Sequence, residues 1–314
     1  MPSTLAVLIT YFNEKELLTQ CLKSLSIQDP LPDEIIIYDD ASQYPAKNYV
    51  ISTLPLEIIR SEKNYGPVYG RNLLLKRAKS TYIHFHDADD LFLKNWSKYI
   101  YKELKKNPDL IINEIISIDN KKILTRELLD LKELIEKQDL IKFCLDRCLL
   151  IDSTVIKKDI AINIGGFNEN LKQSEDYDFF LRIAVSQPRY SVIPTPLTIY
   201  RNRKESRSHQ YKKEIWTSMF LSLNSISEKL KFFYKPYLGK AYYNCAFQLF
   251  RLHAFREAHR AFRLAKRFGC LKVMNQKSIY NILSRFLPFE IVEVIGYIYR
   301  KILPQRIRCL LNAI

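Results

Sequence analysis

The stretch TYIHFHDADD, residues 81–90, runs from an apolar segment directly into a cluster of acids. Its first half is rich in apolar and aromatic residues, and its second half contains Asp87, Asp89 and Asp90. Apolar and aromatic residues followed by a polar turn predict a strand of a buried sheet. The acids have two interpretations: a solvated turn that ends the strand, or an oxygen-ligand site for a divalent metal ion.

Similar strands are predicted on both sides of this stretch. Apolar runs indicate them at residues 5–12, 33–40, 56–64 and 110–119. Segments with apolar residues at helical spacing separate them, at residues 14–28, 66–80 and 94–109. This alternation, with strands that are almost continuously apolar, predicts an α/β fold whose sheet is mostly parallel and covered on both faces.

Polar residues fall at the carboxyl ends of three predicted strands, where open parallel sheets bind their ligands. They are Thr10 and Tyr11, Asp39 and Asp40, and the acidic triplet Asp87-Ala88-Asp89. The chain has no GxGxxG motif after its first strand and no GxxxxGK[ST] motif, so neither glycine-rich phosphate cradle is expected. A phosphate ligand then needs another partner, and a divalent metal held by carboxylates is the obvious one.

Four blocks of the sequence resemble, in order and spacing, the family 2 glycosyltransferases, whose GT-A fold is Rossmann-like. The blocks are AVLITYFNEKELLTQCLKSLSIQDPLPDEIIIYDDAS, NYGPVYGRNLLLKRAKSTYIHFHDADD, GGFNENLKQSEDYDFFLRI and PLTIYR. The resemblance covers residues 4–203, and four blocks in order are far more specific than one acidic triplet. There are two departures: Ala41 follows the paired acids where glycine is frequent, and Arg203 stands where histidine is usual.

The resemblance implies an inverting transferase that moves a sugar from a nucleotide-diphosphate donor, foremost a UDP-sugar, to a hydroxyl group. The acceptor would be a glycan or a lipid-linked molecule of surface polysaccharide synthesis. Asp89 is then a direct ligand of Mn²⁺ or Mg²⁺, and Asp87 contacts the ribose or reaches the metal through water. A non-catalytic sugar-nucleotide or glycan-binding module is the alternative function, and the presence of both Asp89 and Asp176 weighs against it.

The nucleoside is expected at the ends of the first two strands. The resemblance assigns Asp39 and Asp40 to it, as acceptors for a base N–H or a ribose hydroxyl. Thr10 and Tyr11 complete this pocket, with the tyrosine ring stacking on the base. Solvation of two strand ends is the alternative for these polar residues.

Three further residues are expected to handle the diphosphate and the acceptor. Arg71 matches the family's arginine position and would bind the diphosphate through its fork of donors, whereas a surface arginine is the alternative. Asp176 matches the general base that takes the proton of the attacking hydroxyl, and Glu175 is the fallback or orients the acceptor. The same stretch is also typical of an ordinary helix start with Ser174 as N-cap, and both can hold.

The last third of the chain carries almost all of the excess positive charge. The net charge of the chain is +15, and residues 210–314 contain 19 basic against 5 acidic residues. We expect a catalytic GT-A domain at residues 1–208 and a basic helical region at residues 209–314. Residues 238–269 predict two helices, and residues 270–314 suit either a helix on an anionic membrane or one docked on protein.

The remaining features bear on partners and compartment. No recognition motif accompanies the basic region, so nucleic acid is not an expected partner. The N-terminus lacks the regions of a signal peptide, and no apolar run reaches the roughly 18 residues of a membrane span. The six cysteines are scattered without zinc-ligand spacing. These features predict a cytoplasmic protein, and the basic C-terminal region is the reason to expect it at the inner face of the cell membrane.

Overall fold

The computed structural model of this chain describes residues 3–51, 53–119, 122–203, 210–270 and Ile291. The chain divides into two compact units, Met1–Gln210 and Tyr211–Ile314. The first unit contains the predicted sheet, and the described part of the second unit is helical.

The first unit is built on one mixed sheet, which has nine strands in the part of the chain that the structure describes. The strands are β1 (Leu5–Tyr11), β2 (Glu34–Asp39), β3 (Glu57–Arg60), β4 (Tyr82–Asp87), β5 (Leu91–Phe92), β6 (Leu110–Asp119), β7 (Lys122–Glu127), β8 (Thr154–Lys157) and β9 (Tyr190–Asn202). Their order is β3-β2-β1-β4-β8-β6-β9-β5, and β7 pairs with β6. The first four of these are parallel to one another, as their apolar sequences predict.

The parallel arrangement ends at β4. β8 lies between β4 and β6 and is antiparallel to both, whereas β9 is parallel to β6. The predicted mostly parallel sheet is therefore a mixed one: pairing is parallel from β3 to β4 and between β6 and β9, and antiparallel at β5, β7 and β8. Two of the additional strands, β5 and β8, have two and four residues, which is too short for a recognisable period. Another additional strand, β9, contains Pro194 and Pro196, and proline argues against a strand interior.

Helices flank the sheet in the first unit. They are α1 (Glu16–Ser26), α2 (Pro67–Arg77), α3 (Trp96–Leu104), α4 (Lys132–Lys137), α5 (Leu140–Asp146), α6 (Lys158–Asn163) and α7 (Glu175–Val185). The three helices predicted between the early strands are confirmed as α1, α2 and α3, with shorter ends. In α1 the buried side chains are Leu18, Cys21, Leu22 and Leu25, a stripe at helical spacing that packs on the sheet.

The starts of α1 and α7 have no side-chain cap, although Ser174 is predicted to cap α7. Asn13 does not cap α1, because its Oδ1 accepts a hydrogen bond from the backbone N–H of Tyr44. Ser174, before α7, has a left-handed φ of 54° and makes no side-chain cap hydrogen bond. Side-chain caps form where the backbone of the cap residue is extended. Asn13 also has a positive φ, of 65°, so both residues turn the chain instead of capping.

The sheet register brings the predicted strand-end residues side by side. Thr10 is paired with Tyr38 on one side and with Asp87 on the other, and Tyr11 is paired with Asp39. Because these strands are parallel, their carboxyl ends meet at one edge of the sheet, where ligands bind in folds of this kind. The candidate site is built at this edge.

The second unit has three α-helices among its described residues, namely α8 (Lys212–Ile226), α9 (Lys235–Arg251) and α10 (Phe255–Arg267). The two helices predicted for residues 238–269 are therefore confirmed as α9 and α10. α10 packs through Ala258, Ala261, Phe262 and Ala265. The predicted membrane helix falls on residues 271–290 and 292–314, which lie outside the described residues. None of the described helices combines the length and apolar character that a bilayer-spanning helix needs.

Candidate active site

Arg71 lies at the centre of the candidate site. It is on α2 and only 5% exposed, and a buried guanidinium needs charged partners. Its Nη1 donates to Oε1 of Glu175 at 2.7 Å, and its Nη2 donates to Oδ1 of Asp87 at 2.8 Å. Burial disfavours the charge of Arg71, but the two carboxylates outweigh burial and raise its pKa. Arg71 is therefore a permanent cation that joins β4 to the paired acids of α7.

The residues on either side of Arg71 hold α2 in place. Gly70 lets the helix approach β2 closely, because a Cβ at this position would lie 2.3 Å from a ring carbon of Tyr38. Asn72 pairs with the backbone of Phe167: its Nδ2 donates to the carbonyl at 2.9 Å, and its Oδ1 accepts from the N–H at 2.8 Å. These contacts fix α2 between the sheet and the loop that precedes α7.

The predicted general base lies in the first turn of α7. Asp176 directly follows Glu175, and its Oδ1 accepts a hydrogen bond from the backbone N–H of Tyr177 at 2.7 Å. Burial, followed by repulsion from Glu175, raises the pKa of Asp176 to about 6, and the bond from Tyr177 opposes this rise. A carboxylate with a pKa near neutrality is suited to proton abstraction at physiological pH.

A thiol lies beside this carboxylate. Cys148 hydrogen-bonds with the side chain of Asp176, and its Sγ also donates to the carbonyl of Leu149 at 3.2 Å. Burial, with the charge of Asp176 second, raises the pKa of the thiol well above its usual range. Because the thiolate is the reactive form, Cys148 is a protonated neighbour of the base and not a nucleophile.

The two acids of the triplet have different partners. The backbone N–H of Asp87 donates to Oδ1 of Asp152 at 3.0 Å. Burial raises the pKa of Asp87 to about 6, although the neighbouring guanidinium opposes the rise. The carboxylate of Asp89 forms an ion pair with Arg203. Nη1 of Arg201 donates to the backbone carbonyl of Asp89 at 2.6 Å, so two arginines from the end of β9 hold this turn.

Asp152 holds the end of β4 through contacts with its last residues. Its Oδ1 lies 2.8 Å from Nδ1 of His86, and Nε2 of His84 lies 3.1 Å from the same Nδ1. Burial disfavours both charges of the Asp152–His86 pair, but their mutual attraction outweighs it, raising the pKa of His86 and lowering that of Asp152. Burial, with the charge of His86 second, lowers the pKa of His84 to about 3. One charged and one neutral histidine therefore lie behind the triplet.

A group of carboxylates at this edge fits a divalent cation. Oxygens of Asp87, Asp90 and Asp152 lie within 4.8 Å of one another, a grouping that, among the described residues, omits the predicted ligand Asp89. Oδ2 of Asp90 is buried without a hydrogen-bond partner, while Oδ1 accepts from the N–H of Arg201 at 2.7 Å. Burial, with repulsion from Asp152 second, raises the pKa of Asp90. Oxygen ligands in excess of positive charge are what a hard cation prefers.

Glu14, in the loop between β1 and α1, adds another acid to this edge. Its Oε2 accepts a hydrogen bond from the backbone N–H of Phe12 at 2.5 Å. Burial first, and then the charges of Asp89 and Asp87, raise the pKa of Glu14 to about 7, and backbone hydrogen bonds oppose this rise. The electrostatic coupling of these three acids means that a cation bound near any one of them lowers the pKa of all.

The paired acids at the end of β2 accept hydrogen bonds from the protein itself, mostly from backbone N–H groups. Asp39 accepts from the N–H groups of Ser42 and Ala46, each at 2.9 Å, and from Nη1 of Arg60 at 2.6 Å. Asp40 accepts from the N–H groups of the two residues before α2, each at 2.8 Å. These bonds shape the rim of the site. The assignment of both acids to the nucleoside stays a prediction. A nucleoside would have to donate to a carboxylate oxygen that already accepts a hydrogen bond from the protein, which a carboxylate oxygen can do.

Tyr11 differs from its predicted role. Its ring is 1% exposed, and its hydroxyl donates to the carbonyl of Tyr44 at 2.6 Å, so it does not offer a face on which a base can stack. Thr10 lies partly exposed at the edge, and its place in a nucleotide pocket stays a prediction. Two other rings near this edge are exposed, Phe12 and Tyr65, each at 47%.

Comparison with known proteins establishes the family. Residues 6–158 match the family described as Glycosyl transferase family 2. Over these residues, which make up just under half of its length, the chain belongs to this family. It is 28% identical over 202 residues to an uncharacterized glycosyltransferase of Haemophilus influenzae, covering 62% of this chain and 67% of the relative. It is 26% identical over 223 residues to the poly(ribitol-phosphate) beta-N-acetylglucosaminyltransferase TarS of Staphylococcus aureus, covering 64% of this chain and 36% of TarS.

Solved structures confirm the GT-A fold of this glycosyltransferase. TarS residues 1–349 in complex with UDP-GlcNAc give a TM-score of 0.58 at 19% identity, covering 84% of this chain and 89% of the other. The mannosyltransferase PcManGT of Pyrobaculum calidifontis, in complex with GDP-Man and Mn²⁺, gives 0.59 at 13% identity, covering 99% and 83%. At these identities the likeness concerns the fold alone, a mixed sheet with flanking helices and a helical C-terminal region.

Several residues of the glycosyltransferase site are not among those predicted. Asp152 and Glu14 contribute charge, and Cys148 contacts the predicted base. Asp152 could have been found from the sequence, since it interrupts the apolar run LLIDSTVI at residues 149–156. An acid inside a buried segment usually has a charged partner. The other two stand in sequences with no such contrast, and only the fold brings them to the edge.

Proposed function

We propose that this glycosyltransferase inverts the anomeric centre while it moves a sugar from a nucleotide-diphosphate donor to an acceptor hydroxyl. The observation that carries the proposal is the bridge made by Arg71 between Asp87 and Glu175. It connects the acids predicted for the donor side with those predicted for the acceptor side. A donor diphosphate and an acceptor hydroxyl held at these two ends would lie close enough to react.

Asp176 is the proposed general base. As the acceptor oxygen attacks the anomeric carbon, its O–H proton passes to the carboxylate, and a new carbon–oxygen bond forms. The bond from the anomeric carbon to the diphosphate breaks, and its electron pair leaves with the nucleoside diphosphate. One displacement of this kind inverts the centre, whereas retention by two displacements needs an additional nucleophile. The protonated state of Cys148 speaks against a nucleophilic thiol beside the base.

The negative charge of the leaving diphosphate has two proposed counterparts. Arg71 is one, since its guanidinium fork matches phosphate oxygens, although a phosphate must share the fork with two carboxylates. A divalent ion, Mn²⁺ or Mg²⁺, is the other: Asp89 and Asp87 are its proposed ligands, and Asp90 and Asp152 lie next to Asp87. When bound, such an ion neutralises charge that develops on the leaving group.

The donor and acceptor classes are proposed from the relatives. TarS is named for transfer of N-acetylglucosamine to poly(ribitol-phosphate), and its structure was solved with UDP-GlcNAc. We therefore assign a UDP-sugar as donor and a hydroxyl of a surface glycan or lipid-linked glycan as acceptor. The basic second unit suits a reaction at the cytoplasmic membrane face: residues 211–270 contain 12 Lys and Arg against 3 acidic residues.

A panel of nucleotide sugars tests the proposed reaction. The full chain is incubated with UDP- and GDP-linked sugars and Mn²⁺, and release of nucleoside diphosphate is measured without and with acceptor. We expect a UDP-sugar to be consumed and proton NMR of the product to show the opposite anomeric configuration to that of the donor. A product with the donor's configuration would overturn inversion, and consumption of no UDP-sugar would overturn the donor assignment.

A pair of variants tests the role of the base. Asp176→Asn should lower the transfer rate by about 10²–10⁴-fold, the usual contribution of a positioned base. Asp159→Asn, at an exposed acid on α6, is the matched control and should keep full activity. Circular dichroism of both variants excludes unfolding as the cause. An active Asp176→Asn variant would remove this residue from the mechanism.

A further inference from the structure

The turn between α8 and α9 exposes two adjacent aromatic rings. Phe232 is 80% exposed and Phe233 is 57% exposed. Large aromatic side chains are normally among the most buried in a protein, and neighbouring exposed rings mark a contact surface. We name Lys229–Lys235, which contains both rings, the aromatic turn.

The aromatic turn has a defined conformation. Leu230 and Tyr234, which lie on either side of the two rings, are buried at 7% and 8% exposure. The backbone N–H of Tyr234 donates to the carbonyl of Lys231 at 3.0 Å and closes a 3₁₀ turn over Phe232–Tyr234. Two buried side chains therefore hold the turn in place; the Phe233 ring rests against Tyr234, with centroids 4.1 Å apart, and both phenylalanine rings stay mostly exposed.

Positive charge surrounds the rings. Lys229 and Lys231 are exposed, and Nζ of Lys235 lies 4.8 Å from the centroid of the Phe232 ring. The aromatic turn contains no acid, and Glu228 directly precedes it. Lysine side chains can rest their aliphatic stems on an apolar surface while the charged ends face anions.

The end of α10 lies at the same end of the helical hairpin. A Cβ on Gly239, in the second turn of α9, would lie 3.1 Å from the carbonyl oxygen of Phe268 and 3.0 Å from Cβ of Cys270. Phe268 directly follows Lys266 and Arg267, which are both exposed. Two more cations therefore lie at the end of the hairpin that begins with the aromatic turn.

We propose that the aromatic turn inserts Phe232 and Phe233 into the surface of an anionic lipid bilayer, with the surrounding cations at the headgroups. This inference rests on the proposed membrane contact of the C-terminal region and assigns that contact to residues. The exposed rings suit the acyl chains of a bilayer, and the lysines and arginine around them suit its anionic headgroups. A soluble polyanion would pair with the cations but would leave both rings in water.

Vesicle binding by the full chain tests the assignment. The wild type is mixed with vesicles of phosphatidylcholine alone and with vesicles that also contain phosphatidylglycerol, and bound protein is separated by flotation. We expect binding to the anionic vesicles. The double variant Phe232→Ser/Phe233→Ser should bind about tenfold more weakly, because the apolar contribution to partitioning is lost. Lys229→Glu/Lys231→Glu should lose the preference for anionic vesicles.

Matched controls lie at the other end of the hairpin. Phe255, at the start of α10, is 53% exposed, so Phe255→Ser removes a comparable ring from a surface of the same unit. Arg256→Glu/Arg260→Glu changes the charge by the same amount as the lysine variant, at two exposed positions. Both control variants should bind within about twofold of the wild type if the aromatic turn is the contact. Hydrolysis of the donor without lipid should be unchanged in all four variants.

Each outcome has a distinct meaning. If the wild type fails to bind anionic vesicles, the proposed membrane contact and this inference both fall, while the donor assay decides separately on the transferase reaction. Equal binding by the wild type and by Phe232→Ser/Phe233→Ser overturns this inference alone. If that variant instead loses a dimer in sedimentation without lipid and still binds vesicles, the rings contact a second copy of the chain, and the lipid assignment is wrong.

Discussion

Nη1 of Arg71 lies 2.7 Å from Oε1 of Glu175, although the two residues are 104 positions apart in the chain. The second arm of the same guanidinium holds Asp87 at the end of β4. One buried cation therefore sets the spacing between the strand that carries the acidic triplet and the helix that carries the proposed base. Any change in this cation acts on both sides of the site at once.

Arg71→Lys should lower kcat/KM by about 10²-fold or more, since an ammonium group cannot form the two directed arms of a guanidinium. Arg71→Ala should also lower the free energy of unfolding by about 3–5 kcal/mol, because it leaves two carboxylates without their counter-charge. Urea denaturation and steady-state kinetics measure the two effects.

Arg77→Lys is the matched control for Arg71→Lys. Arg77 lies on the same helix, and it also pairs with a glutamate, Glu57, but its side chain is 49% exposed. An exposed pair of this kind contributes about 0–1 kcal/mol, so stability and kinetics should change little. Equal effects of the two lysine variants would show that the bridge made by Arg71 has no special role.

The sequence predicts the parallel part of the sheet correctly, because the strands there have clear local signals. β1 and β2 are almost continuously apolar and β4 is rich in aromatic residues, and the acids at the ends of β2 and β4 fall at one edge because parallel strands share a direction. The partners of those acids were not accessible in this way. Arg203 reaches Asp89 from the end of β9, and a contact between residues so distant in sequence leaves no local pattern.

The corrected features also have local physical causes. Tyr11 has the composition of a stacking residue, but its position in the central strand buries the ring at 1% exposure. Ser174 is a good N-cap by residue type, but its φ of 54° excludes the cap geometry. In both cases the tertiary position of the backbone decides what the side chain can do, and composition alone does not contain that position.

The rate of transfer should rise with pH through about 6. The pKa of Asp176 is raised to about 6, mainly by burial, and the base acts only when deprotonated. A profile of kcat/KM against pH should therefore fall on the acidic side of this value. A profile that is flat between pH 5 and pH 8 would contradict the assignment of Asp176 as the base.

Asp176→Asn should separate stability from activity. Because the pKa of Asp176 in the folded state lies above its ordinary value of 3.8, the stabilising effect of the protonated form is complete below about pH 4 and is lost as pH rises through about 6. The neutral amide does not ionise, so at pH 8 the variant should be at least as stable as the wild type, although its transfer rate is far lower. Urea denaturation at pH 5 and pH 8 gives the comparison.

Asp152→Ala should destabilise the fold by about 3–5 kcal/mol, because it leaves the charge of His86 buried without its partner. Asp152 is 3% exposed and also holds the backbone N–H of Asp87, so kcat/KM should fall with stability. Asp130→Ala is the control, since that carboxylate is 54% exposed in its pair with Arg147. Comparable losses in the two variants would show that Asp152 is no more than a surface acid.

Removal of divalent ions should abolish transfer, and Mn²⁺ should restore it. With Asp89 and Asp87 as the ligands, Asp89→Asn should raise the half-saturating Mn²⁺ concentration by about tenfold or more. Asp90→Asn keeps the oxygen that accepts from the N–H of Arg201 and should leave the Mn²⁺ requirement near that of the wild type. Electron paramagnetic resonance of Mn²⁺ with each folded variant measures binding without relying on turnover.

The Asp89→Asn and Asp90→Asn variants distinguish two places for the ion. Asp90 belongs to the group formed with Asp87 and Asp152, and its Oδ2 is buried without a hydrogen-bond partner. If Asp90→Asn weakens Mn²⁺ binding and Asp89→Asn does not, the ion lies in that buried group, and Asp89 serves only its pair with Arg203. Full activity of the wild type in excess chelator would remove the metal from the mechanism and leave Arg71 as the cation that faces the diphosphate.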